Sequence, residues 1–65
     1  MEDYEICWFI KYHRLKNKMT QKQLADRLYI SEKAISKWET GRGLPSLTYF
    51  LSLLKIFGVS FKLSI

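Results

Sequence analysis

Apolar residues recur at helical spacing in four stretches of the chain. Ile6, Phe9, Ile10 and His13 fall at i, i+3, i+4 and i+7, which predicts a first helix from about Tyr4 to Asn17. Trp8, Tyr12 and Leu15 add a second apolar stripe to that helix. Thr20 is a good N-cap for a second helix. Gln23, three residues on, completes a capping box, and Met19 and Leu24 are placed for a hydrophobic staple. Leu24, Ala25 and Leu28 should face inward, and this helix should end near Leu28. Ser31 caps a third helix with Ile30 and Ile35 as its staple, and Ala34, Ile35 and Trp38 turned in. Gly41 should end it as a left-handed cap. A fourth helix is predicted from about Ser46 to Phe57, closed by Gly58, with a core stripe of Leu47, Phe50, Leu51 and Leu54. Tyr49, Leu53 and Ile56 would then remain as additional apolar surface.

The end of the chain has two readings. From Val59 to Ile65 apolar and polar residues alternate, the period of a strand, while Val59 and Leu63 also stand four apart, as on a short fifth helix. Gly41, Gly43 and Pro45 cluster between the third and fourth helices as a loop. The expectation is an all-α fold: a compact bundle of four to five short helices in one domain spanning 1–65, with a strand-like or short helical tail.

Length and composition narrow the function. A chain of 65 residues has room for one small core and no deep substrate cleft. One Cys and one His make neither an internal disulfide nor a tetrahedral zinc site, so no metal or cofactor is expected. The start Met1-Glu2-Asp3 lacks a basic leader region, and no apolar run approaches a membrane span, so a reducing cytoplasm is the expected setting. Charge then changes the picture. Net charge is +5, yet Glu2, Asp3 and Glu5 are the only charges among the first ten residues. From Lys11 onward eleven basic and three acidic residues leave +8, and nine of those bases lie between Lys11 and Arg42. So dense a basic field favours a polyanion as partner, against the common alternative of a solubilising surface.

The second and third helices are joined by a very short turn, which forces a steep crossing, as in a helix-turn-helix. The outer face of the third carries Glu32, Lys33, Ser36 and Lys37. Lys can donate to guanine O6 and N7, Glu can accept from cytosine N4, and Ser can do either. Such a face suits a DNA major groove, although an ordinary solvated helix face has the same composition.

Residues Met19 to Pro45 resemble the Xre/Cro-type helix-turn-helix regulators of bacteria and their phages. Thr20-Gln21, Leu24-Ala25, Ile30-Ser31, Ile35-Ser36-Lys37-Trp38-Glu39 and Gly41 carry the likeness. Phe9-Ile10, Arg14 and Phe57-Gly58-Val59-Ser60 extend it over most of the chain. The resemblance implies sequence-specific binding of double-stranded DNA by a transcriptional regulator, a repressor in the first instance, with helix 31–40 as the recognition helix. It implies base-reading by Glu32, Lys33, Ser36 and Lys37. Backbone contacts would come from Gln21, Lys22, Ser31, Thr40 and Arg42, and Arg14 with Glu39 would form an internal ion pair. It further implies a homodimer. Unused apolar surface offers three places for the interface, Trp8/Tyr12/Leu15, Tyr49/Leu53/Ile56 and the tail. The fourth helix and the tail, with Tyr49, Leu53, Ile56, Phe61 and Leu63, are expected to form most of it, the alternative being that Phe61 and Leu63 cover the chain's own core. Many relatives have Gly where this chain has Lys18 and Tyr29, so strain or a reshaped turn is expected there. His13 replaces a preferred Leu and reads as a partly buried core residue.

Three other readings compete. A protein-binding module of the same fold, such as an antitoxin or anti-repressor, would use the same surface. A membrane-active cationic peptide fits the charge but not the separately capped short helices. An enzyme is the weakest reading: Cys7 reads as a small buried or half-buried apolar residue and Asp26 as a solvated charge beside Arg27. Gly41-Arg42-Gly43 also lacks the spacing of a phosphate loop.

Overall fold

The structure, a computed structural model, describes residues 3–59. It contains four helices: α1 (Asp3–Lys16), α2 (Gln21–Leu28), α3 (Glu32–Glu39) and α4 (Leu47–Phe57). Each start of the last three is fixed by a local hydrogen bond. Thr20 Oγ1 accepts from the Gln23 N–H at 3.0 Å, and Gln23 Oε1 accepts from the Thr20 N–H at 2.8 Å, so both halves of the capping box are present. Ser31 Oγ and Ser46 Oγ accept from the N–H groups of Ala34 and Tyr49.

The helix ends share one chemistry. After α1, the Met19 N–H reaches Arg14 O and the Lys18 N–H reaches Leu15 O; after α2, Ile30 reaches Ala25 and Tyr29 reaches Asp26. After α4, Val59 reaches Leu54 and Gly58 reaches Lys55. These paired bonds are Schellman motifs, which need a left-handed residue at the turn. Gly58 (φ 69°) supplies it after α4, and Gly41 (φ 78°) holds the same place after α3, where the Arg42 N–H reaches Lys37 O. Lys18 and Tyr29 adopt φ 58° without being glycine. The turns therefore keep their shape and carry the strain, rather than being rebuilt.

The core joins Ile10 of α1, Leu24, Ala25 and Leu28 of α2, Ile35 and Trp38 of α3, and Leu53 and Phe57 of α4. α4 is rotated from its expected phase. Leu47 is 73% exposed and Leu51 half exposed, whereas Leu53 is fully buried beside Leu54 and Phe57. The inward stripe is thus Phe50, Leu53, Leu54 and Phe57. Rings from α1 select it: Phe9 meets Phe50 at 5.8 Å and Phe57 at 6.2 Å, and His13 stacks on Phe57 at 5.5 Å. Leu53 accordingly has no surface to offer a dimer. Ile56 is also packed against the core, and Tyr49 lies on Trp38 with ring centroids 5.8 Å apart. Phe61 and Leu63, with the alternating tail, lie outside the described residues.

No helix among the described residues is long and apolar enough to cross a membrane. Among the same residues no group of three His, Cys, Asp or Glu is placed to hold a metal ion.

Candidate nucleic-acid interface

α2 and α3 pack directly on one another and α3 packs on α1, so the angle of α3 is set from two sides. A polar clamp fixes its end. Arg14 Nε donates to Glu39 Oε2 at 2.7 Å and Nη2 donates to Glu39 Oε1 at 3.0 Å, a bidentate pair. Arg14 Nη1 donates to the Met19 carbonyl at 2.9 Å, and Gln21 Nε2 donates to Glu39 Oε1 at 3.2 Å. The side chains of Arg14 and Glu39 are only 10% and 2% exposed. A carboxylate in the last turn of a helix opposes the helix dipole, and here Arg14 compensates it. One cluster therefore ties the end of α1, the start of α2 and the end of α3 together.

With its inner side committed, α3 presents Glu32, Lys33 and Lys37 to solvent, while Ser36 is half buried. Glu32 stands in the first turn, where a negative charge is favourable. Lys33 and Lys37 lie one turn apart on the same face and repel each other in the free protein. A polyanion laid along α3 would relieve that repulsion. Gly43 passes 4.0 Å from Lys37 Cβ, measured from where its own Cβ would stand, so the loop after α3 runs alongside this face. Arg42 on that loop is exposed.

The expected backbone-contacting residues differ in how available they are. Gln21 is half buried and already bonded to Glu39. Lys22 is exposed and lies 3.9 Å from Asp26 Oδ2, an open surface pair that costs little to separate. Ser31 Oγ is engaged as N-cap acceptor, which leaves its own O–H free to donate. Thr40 is turned the other way: its Oγ1 donates to Ser36 O at 2.8 Å, and its backbone N–H also reaches Ser36 O. A phosphate oxygen needs a donor, so the Thr40 hydroxyl must swing out of this bond to meet one.

Two exposed apolar areas flank the site. Tyr4, Trp8, Tyr12 and Leu15 line a groove on α1 that ends at Thr40 and Gly41. Leu44, Leu47 and Leu51 form a smaller stripe at the start of α4. Periodicity identifies most of the first; the second is hidden from it because helical spacing places Leu47 and Leu51 in the core.

A sequence profile of the helix-turn-helix family matches residues 10–63. Over 47 residues the chain is 45% identical to the HTH-type transcriptional activator BcrR of Enterococcus faecalis, a match covering 72% of this chain and 23% of BcrR. Over 53 residues it is 36% identical to an uncharacterized HTH-type transcriptional regulator of Methanocaldococcus jannaschii, covering 82% of this chain and 80% of that protein. In three dimensions it superposes on a chain of the HipA-HipB-O2-O3 complex with a TM-score of 0.76 and 26% identity, over 100% of this chain and 92% of that one. The chain thus spans less than a quarter of BcrR's length but most of the Methanocaldococcus jannaschii protein's.

Proposed function

Because the chain belongs to the helix-turn-helix family of Xre/Cro-like regulators, we propose that it binds double-stranded DNA sequence-specifically, with α3 in the major groove. The observation that carries this reading is the clamp. Arg14, Gln21 and Glu39 hold α3 at a fixed attitude, so that the polar side chains Glu32, Lys33 and Lys37 point outward from a rigid base. Preset geometry is what base reading requires, since base contacts depend on docking angle. Glu32, Lys33, Ser36 and Lys37 read bases in this proposal. Gln21, Lys22, Ser31, Thr40 and Arg42 meet the phosphates, Thr40 after its hydroxyl re-aims.

The regulator acts as a homodimer on a two-fold operator, which doubles the few base pairs one copy can read. Repression is the proposed output, since occupying an operator is sufficient to exclude other proteins; activation, the output in BcrR's name, is the alternative. A second reading is supported by the likeness to a chain from a HipA-HipB-O2-O3 complex: the same fold can serve a protein partner, as an antitoxin would.

Salt separates the two. Phosphate binding releases counterions, so the logarithm of the DNA affinity should fall linearly with the logarithm of salt, by about 0.9 per phosphate contacted. A flat dependence would move the assignment to a protein partner.

A further inference from the structure

Tyr4, Trp8, Tyr12 and Leu15 follow one another on α1 at intervals of four, four and three residues, so they form one continuous stripe along the helix. All four are more than half exposed, and Trp8 is 70% exposed. The core takes Ile6, Phe9 and Ile10 from α1 instead, and Tyr12 reaches it edge-on against His13, at 5.0 Å between ring centroids. Three unburied aromatic side chains on one helix face form a large apolar patch for so small a protein.

The charges beside this stripe are graded along the chain. Glu5 is near its start, and Lys11 and Lys16 are toward its end, while Arg14 is bonded to Glu39. A second α1 laid parallel would set like charges against like. Laid antiparallel, it sets Glu5 of one copy against Lys16 of the other at both ends, so the surface is complementary to itself. This is the requirement for a two-fold contact.

We propose that α1 is a self-association surface on which two copies of the chain pair antiparallel through Tyr4, Trp8, Tyr12 and Leu15. With the two-fold axis near Ile10, Trp8 of one copy meets Tyr12 of the other, Tyr4 meets Lys16, and Glu5 faces Leu15 and Lys16. Lys16 already sits over an aromatic ring within its own chain, 5.8 Å from the Tyr12 centroid, and can extend the same cation–π contact to the incoming Tyr4. The stripe offers about 400–500 Å² per copy, taking aromatic side chains at roughly 150–250 Å² each. That is below the ~1,200 Å² total of a standard interface, so the pairing is weak. It needs no DNA contact and is tested without DNA, so its failure leaves the DNA assignment standing.

Sedimentation velocity of the full chain at low salt, up to about 500 µM, should show monomer giving way to dimer. Trp8→Glu should weaken association at least about tenfold, with circular dichroism unchanged because the side chain is outside the core. Glu5→Lys and Lys16→Glu should each weaken it, and the double variant in one chain should restore it. Within one helix these positions are about 16 Å apart, beyond the ~10 Å screening length at 0.1 M salt, so restoration requires a second copy. A wild-type chain that stays monomeric overturns the proposal, as does a double variant no better than either single one. Association that survives Trp8→Glu but is lost in Leu51→Glu assigns the contact to α4 and overturns it equally.

Discussion

Glu39→Ala would leave the Arg14 guanidinium in place with its principal partner gone. The wild-type group makes two bonds to Glu39, at 2.7 and 3.0 Å, and one to the Met19 carbonyl, at 2.9 Å. Both side chains are nearly excluded from water, so the pair lies outside the regime of surface ion pairs, which contribute about 0–1 kcal/mol. Removing one partner of a buried pair costs about 3–5 kcal/mol, mostly the penalty of an uncompensated buried charge. A core of this size rarely supplies more than about 3–5 kcal/mol in all, so Glu39→Ala should be largely unfolded in plain buffer. Arg14→Met combined with Glu39→Leu removes both charges, so no buried charge is left uncompensated, although the Met19 carbonyl and the Gln21 amide each lose a partner; it should recover much of the lost stability. Urea unfolding followed by far-UV circular dichroism, with a stabilising osmolyte to hold the single variant folded, measures both. A loss below about 1 kcal/mol for Glu39→Ala, or a double variant less stable than the single one, would refute the claim that this cluster sets the attitude of α3.

Tyr29→Gly and Lys18→Gly should each stabilise the domain. The left-handed conformation costs an L-residue roughly 1–2 kcal/mol, and the extra unfolded-state entropy of Gly returns about 0.5–1 kcal/mol of that. A rise in urea midpoint is expected, most cleanly at Tyr29, which is 95% exposed and has little packing to lose. His13 has its pKa lowered from 6.5, first by burial among the rings of Phe9, Tyr12 and Phe57 and second by Lys16. The unfolded chain therefore binds the proton more readily. Stability from the neutral ring is complete above pH 6.5 and is lost as pH falls through the folded-state value. His13→Leu should flatten that decline between pH 6.5 and about 5, before carboxylates titrate; an unchanged profile would assign it elsewhere. Lys33→Ala should alter sequence preference by about 1–3 kcal/mol per lost base contact. Gln21→Ala should weaken binding to all sequences alike, and competition assays with variant duplexes separate the two behaviours.

The parts of this fold legible in the sequence are those decided within a few residues. Thr20 with Gln23, and Ser31 and Ser46, announce their helices because an N-cap oxygen bonds an N–H only three residues away. The turns after α1 and α2 were equally local, and the conflict of Lys18 and Tyr29 with left-handed backbone was visible before the structure. The phase of α4 was not legible. Apolar residues surround that helix, so helical spacing fits Leu47-Phe50-Leu51-Leu54 as well as Phe50-Leu53-Leu54-Phe57. The choice between them is made by Phe9 and His13, some forty residues away in the chain. The contact of Arg14 with Glu39 spans 25 residues and no local rule indicates it; only the family resemblance suggested it. The inward-turned Thr40 hydroxyl was likewise invisible, because a threonine just past a helix can bond the preceding turn as readily as a ligand.

A rigidly held α3 is proposed to read DNA sequence. Selection of binding sites from a pool of random duplexes by the full chain tests it most directly. Enrichment of a defined motif made of two inverted half-sites is expected, altered at particular positions by Lys33→Ala. Recovery of sequences no different from the starting pool, under low-salt conditions in which the chain is folded, would contradict it.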